Sequence, residues 1–170
     1  VVRAGIRNPE EAFICATFHN LGRLLTSFYF PEESREIDKL IQQKRVSEEQ
    51  ASFKVLGVSF EELGIGVARA WNFPSRVVQS MRHIKEDRVR RPMKEDDKLR
   101  ALADLSAGGC DAMRDADDEQ RAQKLEALIA KFGDALNIES SVLALSIQKS
   151  AAVLARHPIV LGLKTHETVF

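Results

Sequence analysis

The chain has 170 residues, 25 Lys plus Arg against 25 Asp plus Glu, and 44% hydrophobic residues. That length allows one domain with a real core or two very small ones, and the apolar content excludes a chain too polar to fold. Zero net charge argues against a dedicated nucleic-acid binder, which normally carries a basic excess.

Helix signals follow one another along the chain. Asn8 can cap, Pro9 fits the first helical position and Glu11 completes a capping pattern. From there Phe13, Ala16, Phe18, Leu21, Leu24, Leu25 and Phe28 recur at helical spacing, with Gly22 marking a bend. Phe30-Pro31-Glu32-Glu33 starts a second helix with Ile37, Leu40 and Ile41 inward. Ser47-Glu48-Glu49-Gln50 and Ser59-Phe60-Glu61-Glu62 are capping boxes. The first opens a short helix that Gly57 ends. The second opens a helix with Phe60, Leu63, Val67 and Trp71 on one face. Asn72 stops that helix, and Pro74 restarts the chain as another with Val77, Val78, Met81 and Ile84 inward.

Residues 85–98 form the most polar segment and read as a charged loop around Arg88-Val89-Arg90-Arg91-Pro92. A helix with Leu99, Leu102, Leu105 and Met113 follows, and Gly108-Gly109 marks a packing point or a break. Asp117 or Asp118 caps a further helix carrying Leu125, Leu128, Ile129 and Phe132, ended by Gly133. A last long helix is expected from about Glu139 to about Arg156. No strand signal beats the capping signals, and no solenoid repeat or low-complexity tract occurs. The expected fold is all-α: a single domain over 1–170 of about eight helices, with C-terminal helices over 99–157.

Cys15 and Cys110 have no metal-ligand spacing and read as two buried thiols of a reducing, cytoplasmic protein. No secretory signal is visible, and Ser150 to Leu163 is too short and too broken by Arg156, His157 and Pro158 to span a bilayer. The start at Val1-Val2-Arg3, without methionine, is that of a fragment or a processed chain.

One pair stands out as a candidate metal motif. His19-Asn20 lies where a histidine followed by an aspartate would hold a catalytic ion, but an amide carbonyl is a poor ligand for a transition metal. His83 is the only other histidine expected near the same layer, and His157 and His166 show no ligand spacing. His19 then reads as a helix-end histidine bonded locally, with Asn20 helping to end a turn. Glu61-Glu62 points about 100° apart on a helix and reads as a capping feature rather than an acid/base pair. The arginines of 85–98 are flanked by acids and lack interleaved aromatics, so they read as a solvated loop or a protein contact. Leu63-Gly64-Ile65-Gly66 is no phosphate loop, since no strand precedes it; its small residues let helices pack closely. No nucleophile elbow occurs.

The run from 8 to 84 resembles the C-terminal half of the HDOD domain, the bacterial signalling relative of the HD-type metal phosphohydrolases. "NPEEAFICATFHNLGRLL" is similar to the helix bearing the histidine-aspartate signature, and "YFPEESREI" to the stretch after it. "VLGVSFEELGIGVARAWNFP" and "VVQSMRHI" are similar to the segments that follow. Asn20 stands where the signature usually has aspartate, Phe60 where many relatives have histidine, and the family's N-terminal helical half has no counterpart here. The resemblance implies an HD/HDOD-like helical bundle and a non-catalytic regulatory or output domain with a vestigial motif, His19 and Asn20. It implies no catalytic residue, metal or cofactor. Its partners would be signalling domains of receiver, kinase, sensor or cyclic-nucleotide-turnover type, reached by protein contacts, without nucleic acid or membrane. The alternative is a divergent metal-dependent phosphohydrolase acting on nucleotides or cyclic dinucleotides through His19, His83 and further carboxylates.

Overall fold

The computed structural model describes residues 7–91, 94–113 and 117–138, and positions 141, 142, 145, 146 and 149. Among these residues all regular structure is helical: α1 (Pro9–Phe18), α2 (Leu21–Tyr29), α3 (Pro31–Lys44), α4 (Glu48–Leu56), α5 (Phe60–Ala70), α6 (Ser75–Ser80), α7 (Glu95–Ala112) and α8 (Asp118–Leu136). The all-α architecture is the one the sequence predicts. Positions 141, 142, 145, 146 and 149 are helical too, within the span expected for the last helix. The rest of that helix, with His157 and His166, lies outside the described residues.

Local chemistry sets most of the helix starts. Asn8 Oδ1 accepts from Glu11 N–H at 3.2 Å with Pro9 at the first position, and both capping boxes are closed, Ser47 with Gln50 and Ser59 with Glu62. Gly57 ends α4 in the left-handed region at φ 73°, where glycine carries no Cβ penalty.

Tertiary packing decides the rest. The apolar run from Phe13 to Phe28 is two helices, not one with a bend at Gly22: α1 stops at Phe18, and α2 begins at Leu21 after the His19-Asn20 break. Gly22 serves a close approach instead. A methyl there would overlap the Phe60 carbonyl oxygen, and one on Gly64 would sit 2.8 Å from Gly22 N, so α2 and α5 meet backbone to backbone. That approach turns Gly64, Ile65 and Ala68 of α5 inward and leaves Trp71 55% exposed, off the face expected for it. Gly108 is the packing point of α7, facing Leu128 of α8, and the helix runs on through it. α8 passes Gly133 and ends at Leu136, with Asn137 left-handed at φ 54°.

Two clusters make the core. Ala12, Cys15, Val77, Ile84, Leu99 and Phe132 belong to one, joining α1, α6, α7 and α8; Leu21, Ile65, Ala68, Val78 and Met81 form the other between α2, α5 and α6. Phe18 and Phe73 pack against both, edge to face with ring centroids 4.7 Å apart. Cys15 is buried as expected, whereas Cys110 is exposed.

The charged segment also differs from a free loop. α7 already starts at Glu95, inside the 85–98 span. Val89 N–H donates to Lys131 O at 3.0 Å, and Arg91 donates to Asp134 O and Asn137 Oδ1, so the segment is tied to α8. Among the described residues no helix is long and apolar enough to cross a membrane.

Candidate functional site

The break between α1 and α2 places His19 directly after α1, where its ring is buried. Its Nδ1 lies 2.8 Å from Ser80 O at the end of α6. A carbonyl oxygen only accepts, so His19 donates through Nδ1–H, which leaves Nε2 as the inward-facing nitrogen. The bond spans 61 residues, so His19 is a tertiary contact and not the locally bonded helix-end histidine expected from the sequence.

His83 sits in the turn after α6 with its side chain 46% exposed. Its Nδ1 lies 2.7 Å from Asp104 Oδ1 and 3.2 Å from His19 Nε2, and the two rings meet edge to face at 4.7 Å. Asp104 comes from the buried face of α7. Its Oδ1 is 3.3 Å from His19 Nε2; its Oδ2 accepts from Ile84 N–H at 3.0 Å and lies 3.9 Å from Lys131 Nζ of α8. His19, His83 and Asp104 therefore converge on one point.

Burial alone would raise the Asp104 carboxyl, but its contacts with His19, His83 and the Ile84 amide outweigh it and hold the group well below the usual carboxylate range. The hydrogen bond to Asp104 raises His83 against the opposing effect of burial. Asp104 thus contributes stability that is present above its ordinary value of 3.8 and lost as pH falls through its lower folded value. His83 contributes stability that is complete below 6.5 and lost as pH rises through its higher folded value. The stability lost in a His83→Ala variant is expected to be greatest between these two limits and to shrink toward pH 9 (~2 units above the usual imidazole range). Urea midpoints of wild type and variant across that range test it; a difference that grows with pH would contradict the assignment.

Around His83 lies a cavity of about 300 Å³ lined by Glu48, Glu49, Ser52, Ser59, Phe60, Glu61 and Lys85. Glu61 is more than a capping feature of α5: its Oε2 accepts from His83 N–H at 2.8 Å. Glu62 stays in the capping box, as the sequence predicts. Arg23 of α2 joins Glu48 of α4 at 2.7 Å and Asp111 of α7 at 3.4 Å, closing the structure beside the cavity.

A family model described as HDOD domain matches residues 2–86. The chain belongs to the HDOD domain family. This is a signalling-related branch of HD-type domains, and the matched segment carries α1 to α6 and the His83 turn. No curated protein and no solved structure gives a significant match.

Within this HDOD chain, the donor set can be weighed against a divalent ion. His19, His83 and Asp104 each offer one ligand atom, all within 4.8 Å of one another. Their hydrogen-bonding separations of 2.7 to 3.3 Å suit donors gathered around one ion at about 2.1 Å. The Ser80 carbonyl orients His19 as outer-shell partners orient metal-bound imidazoles. Three residues therefore fit such an ion, provided the His83 Nδ1 proton leaves. Asn20 is not among them: it heads α2 without a side-chain cap bond. Asp104 is the residue that sequence reasoning missed. Its signal is legible in retrospect, as the only charged side chain between Arg100 and Asp111.

Proposed function

We propose that this HDOD domain is a non-catalytic, cytoplasmic signal-transduction module that works by contact with neighbouring protein domains. The observation that carries this reading is the saturation of Asp104. Its carboxylate accepts from His83 Nδ1–H and the Ile84 amide and faces the Lys131 ammonium at 3.9 Å, with the His19 ring packed 3.3 Å away. A carboxylate so occupied acts as a lock. It ties the α1–α2 break, through His19, to the His83 turn and to α7. α2 starts two residues past His19 and presents Leu24, Phe28 and Tyr29 to solvent, with the Phe28 and Tyr29 rings 5.0 Å apart. Exposed apolar residues grouped on one element suit contact with another protein. The partners would be receiver, kinase, sensor or cyclic-nucleotide-turnover domains.

The three-donor set favours a second reading, a divergent metal-dependent phosphohydrolase acting on nucleotides or cyclic dinucleotides. His19, His83 and Asp104 are the residues that would hold its ion. When bound, such an ion supplies a water of lowered pKa and polarises a phosphoryl oxygen. The chain's own groups would orient the donors: Ser80 O on His19, and Ile84 N–H and Lys131 on Asp104.

Elemental analysis of the purified protein separates the two. Iron, manganese and zinc are expected far below one equivalent, with the same value in a His19→Ala variant. One equivalent of metal in wild type that disappears in His19→Ala would establish the second reading instead.

A further inference from the structure

The turn carrying His83 is held in an unusual way. Loop backbone groups are ordinarily left to water. In residues 82–84 they are held by charged side chains from three helices. Glu61 of α5 accepts from His83 N–H at 2.8 Å, and Asp104 of α7 accepts from Ile84 N–H at 3.0 Å. Arg100 of α7 donates through Nε to Arg82 O at 2.8 Å and through Nη2 to His83 O at 2.6 Å, and Lys131 of α8 donates to Ile84 O. The planar guanidinium fork spans two consecutive carbonyls, a geometry that a lysine ammonium cannot reproduce.

Of these holders Asp104 bonds the His83 ring and Lys131 pairs with Asp104, whereas Glu61 and Arg100 hold only the backbone of the turn. We propose that Arg100 and Glu61 are positioning residues for His83. They fix its peptide from both sides, carbonyl and amide, so that Nδ1 meets Asp104 and His19, while Nε2 has no hydrogen-bond partner among the described residues and the half-exposed ring lines the cavity. The proposal rests on the reading of the centre as a working part of the domain. It adds that the presentation of His83 is set by α5 and α7 rather than by the turn's own sequence. Arg100 lies beyond residues 2–86, so the family-matched segment does not position its own histidine alone.

The imidazole tautomer reports this directly. A neutral imidazole free in water favours Nε2–H, whereas Ser80 O and Asp104 impose Nδ1–H on His19 and His83 respectively. Nitrogen NMR of protein labelled with ¹⁵N-histidine, at pH about 9 where imidazoles are neutral, should show these two rings as Nδ1–H. Arg100→Gln and Glu61→Ala are expected to return His83 to a mainly Nε2–H ring and to leave His19 unchanged as an internal control. Glu61→Gln keeps an acceptor and is expected to retain Nδ1–H, a rescue that a general loss of packing would not give. Should Arg100→Gln fail to fold, the Glu61 pair carries the test by itself. A wild-type His83 in the Nε2–H form would remove the centre and the reading built on it. An Nδ1–H His83 that persists in Glu61→Ala and in folded Arg100→Gln would overturn the positioning role alone.

Discussion

Alanine at Gly22 is expected to cost about 3 kcal/mol of unfolding free energy, at the upper end for overpacking a well-packed contact. That corresponds to a fall in melting temperature of about 10 °C for a domain of this size. The obstacle is backbone rather than a side chain that could turn aside. The new methyl would overlap the Phe60 carbonyl oxygen and lie 2.9 Å from Gly64 N, so α2 and α5 would have to move apart. Separating them loosens the cluster of Leu21, Ile65, Ala68, Val78 and Met81. Gly66 gives the control. It lies in the same α5, but a methyl there meets nothing within 4 Å. Gly66→Ala should therefore be neutral or stabilising by about 0.5 kcal/mol, the helix preference for alanine. Thermal unfolding of the two variants tests the pair. Equal shifts would mean that the α2–α5 approach is looser than described.

Removing the Asp104 carboxylate should be similarly severe. Asp104→Ala leaves the Ile84 amide unpaired in the core and removes the carboxylate from His83 Nδ1 and from the Lys131 ammonium, leaving them only His19 Nε2 and Ile84 O among the described residues. Breaking one side of a buried charged group commonly costs 3 to 5 kcal/mol; His83 is half exposed, so about 3 kcal/mol is expected. Asp104→Asn keeps the shape and one acceptor oxygen and should lose about half as much. Urea denaturation at pH about 6, inside the range where both ionised partners contribute, reads the difference. A loss below about 1 kcal/mol in Asp104→Ala would mean that the carboxylate is not the hub of the centre.

These expectations separate what was legible in the chain from what was not. The helix starts were legible because each cap is a short-range event. Asn8 reaches Glu11, Ser47 reaches Gln50 and Ser59 reaches Glu62, three residues on in every case. The C-termini were less so. Gly133 looked like a stop and proved to be helix interior, because the stop signal of α8 is Asn137 in the left-handed region. The face of α5 was misplaced for a different reason. Period alone favours the largest apolar side chains, whereas a backbone-to-backbone crossing requires the smallest ones to face inward. Trp71 therefore lies outside and Gly64 inside.

The candidate site divides along the same line. His19, Asn20 and His83 were visible as residue types, and the resemblance to the HDOD family rested on the order of segments around them, in agreement with the family match. The role of His19 was not visible, since its partner Ser80 is 61 residues away. Asp104 and Arg100 lie in a helix whose sequence signal is its apolar spacing, and that spacing does not tell which polar side chains face the His83 turn.

By itself, then, the sequence determined an all-helical chain, the capped starts of its helices and its family, because those depend on neighbours within a turn or on a linear order of segments. Only the tertiary structure decided that the chain breaks at His19-Asn20, that two histidines share one carboxylate, and that charged groups from α5, α7 and α8 hold the turn between them. Those features depend on how separate helices pack against one another. The approach of Gly22 to Gly64 and of Gly108 to Leu128, which seats α2 on α5 and α7 on α8, is a property of packed surfaces rather than of any local run of residues.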